Sequence, residues 1–244
     1  MKDKMAKVLI VTEGVKPETK IMNSLFEVYE IDAKHNIVHY GTDIYALYNS
    51  MFSDGSPEDM DLLQVLKSRE IDVNKKAVLE QKFTDMLLVF DFDPQATTFE
   101  PKKIQNMVEH FTDSTDMGKL YINYPMTEAF YHLKSIPDPD YNERTASLVE
   151  LETPSKADGY KARVNNESCF RSKFAIGRYE WNEVLRQNIK KGWLIHGGSS
   201  NTELPSCRLI LERQLEKLDN EQVMYVLCTC IYYAAEYSSL NFPQ

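Results

Sequence analysis

The first block of apolar residues is Val8-Leu9-Ile10-Val11, set between Lys7 and Thr12. It has no polar alternation, which suits a strand covered on both faces, as in a parallel sheet. Glu13-Gly14 ends the run. From residue 19 to 30 the apolar positions Ile21, Leu25, Phe26, Val28 and Tyr29 take up helical spacing. The chain therefore opens as strand, tight loop and helix. A second strand is predicted over 36–40 and a helix over 42–51, capped by Thr42 or Asp43. A turn at 53–56 leads to a helix starting at Pro57 and running to 68, and another short helix covers 75–83.

Residues 85–90, Asp-Met-Leu-Leu-Val-Phe, form the clearest central strand. It runs into Asp91-Phe92-Asp93-Pro94, and Pro94 cannot continue a sheet ladder. A helix is predicted over 101–111, a strand over 118–124, and a helix opening at Pro125 through Met126, Ala129, Phe130 and Leu133. Residues 135–160 are rich in turn formers and predict a long loop or a domain border. Beyond them the pattern predicts helices alone, over 170–193, 207–218 and 220–240, with a loop at 197–201. Alternating strands and helices imply an α/β fold with a parallel sheet and right-handed crossovers. That domain spans residues 1–134, with a helical insertion at about 42–83, and a mainly helical region follows over 135–244.

Composition narrows the class. With 244 residues and 43% hydrophobic content the chain can bury a substantial core. No run of about 18 apolar residues occurs, so no membrane span is expected. Val8–Val11 is too short for a secretory h-region. The four cysteines match no zinc spacing and suit a reducing, cytoplasmic setting. Cys228 and Cys230 lie in an apolar, helix-like segment, where two residues of separation would turn them to different faces. The five histidines show no ligand spacing and read as surface or core residues.

The net charge of −9 argues against a generally basic nucleic-acid coat. Between Lys161 and Lys191, however, eight Lys/Arg face three Glu. That local excess of five positive charges leaves −14 on the rest of the chain. Such a zone is compatible with phosphate binding, and a solvated helix face would give the same count.

Ligands of open parallel sheets collect outside the carboxyl ends of the strands. Three predicted strands end in polar groups there: Glu13; Asp91 and Asp93; and Asn123-Tyr124, with Glu128 one helical turn further on. Bare carboxylates gathered at one edge repel, and a hard dication with oxygen ligands resolves the repulsion. Strand alternation would send Asp91 and Asp93 to one side and Phe92 to the other. Metals held this way activate water and stabilise a leaving oxygen in phosphodiester cleavage. Lys16 and Lys20 lie at the start of the first helix, whose N-terminus can also face a phosphate.

These residues resemble the Toprim fold, the metal-binding domain of topoisomerases, primases and certain nucleases. The resemblance rests on Val8-Leu-Ile-Val-Thr-Glu13-Gly14 and Leu87-Leu-Val-Phe-Asp91-Phe-Asp93. It is nearest to the RloB-like branch of bacterial defence loci, whose Glu-Gly-x-Lys-x-Glu motif is matched by Glu13, Gly14, Lys16 and Glu18. A third motif, a strand leading to Asn-Pro and a helix bearing Glu, is similar to Asn123-Tyr124-Pro125 and Glu128, with Tyr124 inserted. The resemblance covers about residues 7–134. It implies Mg²⁺ or Mn²⁺ held by Glu13, Asp91 and Asp93, with Glu18 and Glu128 as further metal-site carboxylates. Glu13 would be ligand or general acid/base, and Lys16 would contact phosphate.

The expected activity is a Mg²⁺-dependent nuclease acting on DNA, RNA or tRNA in anti-phage defence. Substrate phosphates would meet Lys16, Lys20, Arg171, Lys173, Arg178 and Arg186. The resemblance further implies a partner ATPase, and the aromatic C-terminal helices suit packing within the chain or in a homo-oligomer. Two other readings stand beside it. One is a non-catalytic, partner-binding or sensing module whose metal is structural. The other is a haloacid-dehalogenase-like phosphatase with Asp91 as nucleophile, although Gln95 stands where that pattern wants Thr or Val.

Overall fold

The structure, a computed structural model, describes residues 6–31, 33–52, 61–153, 158–170, 176–200 and 203–238. The fold is α/β, with a mostly parallel central sheet flanked by helices. Strands β1 (Ala6–Thr12), β2 (Ala33–His39), β3 (Asp85–Asp91), β4 (Thr112–Asp113) and β5 (Gly118–Tyr124) form it in the order β2-β1-β3-β5-β4. β1 runs parallel to β2 and to β3, with Ile10 level with Ile37 and Leu87. Val8 to Val11 and Leu87 to Phe90 have no exposed surface. A strand covered on both faces needs no polar alternation, which is why these runs are continuously apolar.

The chain divides into two compact units that interleave in sequence. The first takes residues 1–19, 32–90 and 98–121 and holds most of the sheet. Its helices are α2 (Ile44–Met51), α3 (Leu62–Arg69), α4 (Val73–Leu79) and α5 (Pro101–His110). Asp43, Asp61 and Asp72 are the N-caps of α2, α3 and α4, each accepting from backbone N–H groups of the first turn. These aspartates are thus absorbed by helix ends. The helix expected over 57–68 begins at Leu62, and Pro57 lies outside the described residues. The helix expected over 75–83 is shifted to Val73–Leu79, because Asp72 supplies its cap.

The second unit takes residues 20–31, 91–97 and 122–244 and includes most of α1 (Pro17–Val28). Pro125 does not open an α-helix; a 3₁₀ turn over Thr127–Tyr131 follows instead. Residues 135–160 are not a featureless loop. They contain a 3₁₀ turn (Tyr141–Glu143), β6 (Thr145–Ser147) and α6 (Leu148–Glu152), the last opened by a Ser147/Glu150 capping box.

Then come α7 (Tyr160–Glu167), α8 (Arg178–His196) and α9 (Cys207–Glu221). The helix expected over 170–193 begins at Arg178, and residues 171–175 lie outside the described set. The helix expected over 220–240 is broken into β7 (Val223–Tyr225), β8 (Leu227–Cys228) and α10 (Tyr232–Ser238). Gln222, at φ 57°, ends α9 in the left-handed region. The strands after it find distant partners. β7 pairs antiparallel with β6, Thr145 opposite Tyr225, and β8 pairs antiparallel with β5, Asn123 opposite Cys228.

Arg144 and Asp138 form a buried ion pair at 2.5 Å in this unit. Among the described residues, no helix is long and apolar enough to cross a membrane.

Candidate metal centre

β1 and β3 lie side by side in register, Thr12 level with Val89. The backbone N–H of Glu13 continues that ladder to the carbonyl of Val89 at 3.2 Å. Glu13 therefore follows β1 at the same end of the sheet at which β3 delivers Asp91. Glu13, Asp91 and Asp93 each offer a carboxylate oxygen, and these three atoms lie within 4.8 Å of one another. Glu13 and Asp93 are half-buried and Asp91 is buried.

Asp93 reaches this position by a route that alternation did not predict. The strand stops at Asp91, and Asp93 has φ 41°, a left-handed turn residue. Asp is among the few residues that adopt this conformation at modest cost. The turn is pinned by the N–H of Asp93 donating to the Pro125 carbonyl at 3.0 Å and by Ala96 N–H donating to the Asp93 carbonyl at 3.0 Å. Gln95 Nε2 donates to Asp93 Oδ1 at 2.9 Å. Phe92 is fully buried and packs against Tyr124, ring centroids 5.2 Å apart.

Asp91 is oriented by Asn123, which sequence reasoning placed among the polar strand ends, and by Thr127, to which it gave no role. Thr127 Oγ1 donates to Asp91 Oδ1 at 2.8 Å, and Asn123 Nδ2 approaches the same oxygen at 3.4 Å. Asn123 in turn accepts from Cys228 Sγ at 3.3 Å, and the Cys228 and Cys230 sulfurs are themselves 3.3 Å apart. These two cysteines do not point to different faces of a helix, because the segment carrying them is β8 and its exit. The Asn-Tyr-Pro motif was the available signal for Asn123. For Thr127 there was none, since a threonine beside a proline turn is common.

Glu18 and Glu128 are not in the three-carboxylate group. Glu18 is 5% exposed, in the first turn of α1, with its carboxylate folded over Gly14. A Cβ on Gly14 would meet the Glu18 oxygens at 3.1 and 3.2 Å, so the glycine of Glu13-Gly14 permits a close approach. Glu128 pairs with Lys161 at 3.3 Å. Burial pulls the Lys161 ammonium toward neutrality, but Glu128, and then Asp91 and Asp93, outweigh it and leave its pKa raised.

The predicted phosphate-binding cations separate. Lys16 and Lys20 are exposed, one just before α1 and the other in its first turns. Arg178 Nη1 donates to the Val28 carbonyl at 2.5 Å, and the guanidinium lies 4.6 Å from the Tyr29 ring centroid. It finishes the C-terminus of α1. Arg186 is paired with Glu183 at 2.5 Å. Arg171 and Lys173 lie outside the described residues. Lys191, counted in the basic stretch, is fully buried and donates to the carbonyls of Tyr141 and Arg144 at 2.6 and 2.7 Å. The stretch is therefore not one continuous basic surface.

No family model, curated protein or solved structure matches this chain. The donor set must speak for itself. Three carboxylates within 4.8 Å of each other, one steadied by a hydroxyl and an amide, form a hard, all-oxygen cluster. Such a set fits Mg²⁺, Mn²⁺ or Ca²⁺ rather than a soft metal. The Cys228/Cys230 pair, joined to Asp91 through Asn123, is not part of that cluster.

Proposed function

We propose that this chain is a Toprim-like, divalent-metal-dependent phosphodiesterase acting on nucleic acid, in the manner of the RloB-like proteins its motifs resemble. One observation carries the reading: carboxylates from Glu13 and from Asp91 and Asp93, 78 residues apart at the nearest, converge within 4.8 Å at the ends of adjacent parallel strands. Repulsion among three carboxylates costs free energy unless a cation offsets it. A fold that assembles them at the ligand-binding edge of a parallel sheet is organised for that cation.

A bound Mg²⁺ or Mn²⁺ would supply a Lewis acid and a water of lowered pKa. This chain's residues would do the rest. Glu13, Asp91 and Asp93 hold the ion. Thr127 and Asn123 fix the rotation of the Asp91 carboxylate. Glu13, half-buried at the loop after β1, is placed to take a proton. Work in anti-phage defence with a partner ATPase belongs to the same proposal, through the RloB-like resemblance.

The test is cleavage of labelled single-stranded RNA, tRNA and duplex DNA in Mg²⁺ and in Mn²⁺, with the wild type and with Asp91→Ala. The proposal expects metal-dependent cleavage of at least one substrate and its loss in the variant, with folding retained by circular dichroism. Cleavage by Asp91→Ala at the wild-type rate would sink it. Tight Mn²⁺ binding with no cleavage of any substrate would favour a structural metal in a partner-binding module.

A further inference from the structure

Thr127 and Glu128 are consecutive residues with different duties. Thr127 is buried and bonds Asp91. Glu128, next to it on the same 3₁₀ turn, has a side chain 23% exposed and reaches Lys161 at 3.3 Å. Lys161 is held from its other side in the same way. Its neighbour Tyr160 is fully buried at the start of α7, with its hydroxyl 3.2 Å from His132 Nδ1. Two buried anchors, one on each element, thus set a partly exposed ion pair next to the Thr127–Asp91 hydrogen bond.

Three other cations of the basic stretch are differently placed. Lys191 is spent on backbone carbonyls, Arg178 on the end of α1 and Arg186 on Glu183. Lys161 keeps a side chain 66% exposed, and its charge interacts with Asp91 and Asp93 as well as with Glu128.

We infer that Lys161 is a substrate-phosphate contact of this site, and that Glu128 is its positioning residue rather than a metal ligand. This inference rests on the phosphodiesterase reading above. An ammonium is a compact point charge with three donors, able to follow a non-bridging phosphate oxygen as it moves. Lys161 is the solvent-exposed member of the pair, and an ion pair open to solvent on one side is weak, so Lys161 can exchange the Glu128 carboxylate for a phosphate oxygen. Three carboxylates around one dication leave a net negative centre that repels a phosphodiester. A cation held beside them offsets that repulsion. Glu128 keeps the ammonium beside the centre and away from direct occupation of it.

The experiment measures binding without turnover. Wild type, Lys161→Met, Lys161→Arg, Glu128→Gln and Asp91→Asn are titrated in Ca²⁺ with a fluorescein-labelled 20-nucleotide single strand, made as RNA and as DNA. Mn²⁺ affinity is measured separately by calorimetry. Lys161→Met is expected to weaken oligonucleotide binding by about tenfold and to lower the salt dependence by about 0.7 in log–log slope, one single-strand phosphate contact. Lys161→Arg should restore binding to within about threefold, because it keeps the charge. Glu128→Gln should leave Mn²⁺ affinity within about twofold, whereas a lost ligand or its support costs 10–100-fold.

Lys161→Met binding either strand as the wild type does, or a wild type that binds neither, overturns the role of Lys161. A tenfold loss of Mn²⁺ affinity in Glu128→Gln makes Glu128 a ligand and overturns its positioning role. The parent reading fails separately and visibly, as a wild type that holds no Mn²⁺ or an Asp91→Asn that holds it equally well.

Discussion

The hydroxyl of Thr127 donates to Oδ1 of Asp91 at 2.8 Å, and both side chains are buried. On the proposed metal reading the carboxylate must meet a cation in one orientation, and this bond fixes its rotation. Thr127→Val keeps the β-branched shape and removes the donor, while the Asn123 amide stays at 3.4 Å. Losing a partner of a buried acceptor costs about 1–3 kcal/mol, which urea unfolding would read. Metal affinity should fall by about tenfold, in the range found for groups that orient ligands. Thr127→Ser, which keeps the hydroxyl, should recover both. Equal Mn²⁺ affinity in Thr127→Val and wild type would remove Thr127 from the site.

On the proposed metal reading, the three carboxylates within 4.8 Å of one another make the fold's stability depend on cations. A ligand that binds only the folded chain adds about 2.7 kcal/mol at a hundred times its Kd. Mn²⁺ at that excess should therefore raise the thermal midpoint of the wild type measurably. Asp91→Asn and Glu13→Gln should lose the response. Without metal, either variant should be no less stable than wild type in its electrostatics, because one repelling charge is gone. Identical Mn²⁺ shifts in wild type and both variants would show that the ion binds elsewhere.

What the sequence made legible was local. Val8–Val11 and Leu87–Phe90 announce buried parallel strands by composition alone, and each is followed within two residues by an acidic one. The rest depended on distance or on conformation. Asp93 arrives by a left-handed turn held by the Pro125 carbonyl, 32 residues on, which no periodicity encodes. β7 and β8 are three and two residues long, too short for a strand pattern, and exist because Thr145–Ser147 and Asn123–Tyr124 offer them ladders. Lys191 reads as a surface cation in any charge count, yet it lies on the inner face of α8.

That inner position gives Lys191 a structural duty. Its Nζ donates to the Tyr141 and Arg144 carbonyls and stands 4.5 Å from the Tyr141 ring centroid. Burial first, and then the Arg144 charge, push its pKa well below the usual lysine range. Lys191→Ala would leave two buried carbonyls without this donor and open a cavity, a loss of more than about 3 kcal/mol. Lys191→Met fills most of the volume and removes the cost of a buried ammonium, so it should be the milder change. Denaturant midpoints of the two variants test the order. An alanine variant as stable as the wild type would mean that the two carbonyl contacts do not form.

His132 links the same unit to pH. Its ring is fully buried, with Nε2 3.2 Å from Glu167 Oε2 and Nδ1 3.2 Å from the Tyr160 hydroxyl. Burial, and then the charges of Arg163 and Arg144, bring its pKa down from 6.5 to about 4, against the opposing pull of Glu167. Between those two values the unfolded chain binds a proton that the folded chain refuses. Stability is therefore fully present above pH ~6.5 and declines as the pH falls toward ~4. A shift of this size corresponds to roughly 3 kcal/mol. Urea unfolding at pH 7.5, 6 and 5 should show the decline, and His132→Gln should flatten it. Glu167→Gln should carry the decline on to lower pH, below about 4, because the carboxylate that favours the charged ring is gone. A wild-type midpoint constant from pH 7.5 to 5 would mean that His132 titrates near its ordinary value, with a ring that reaches solvent.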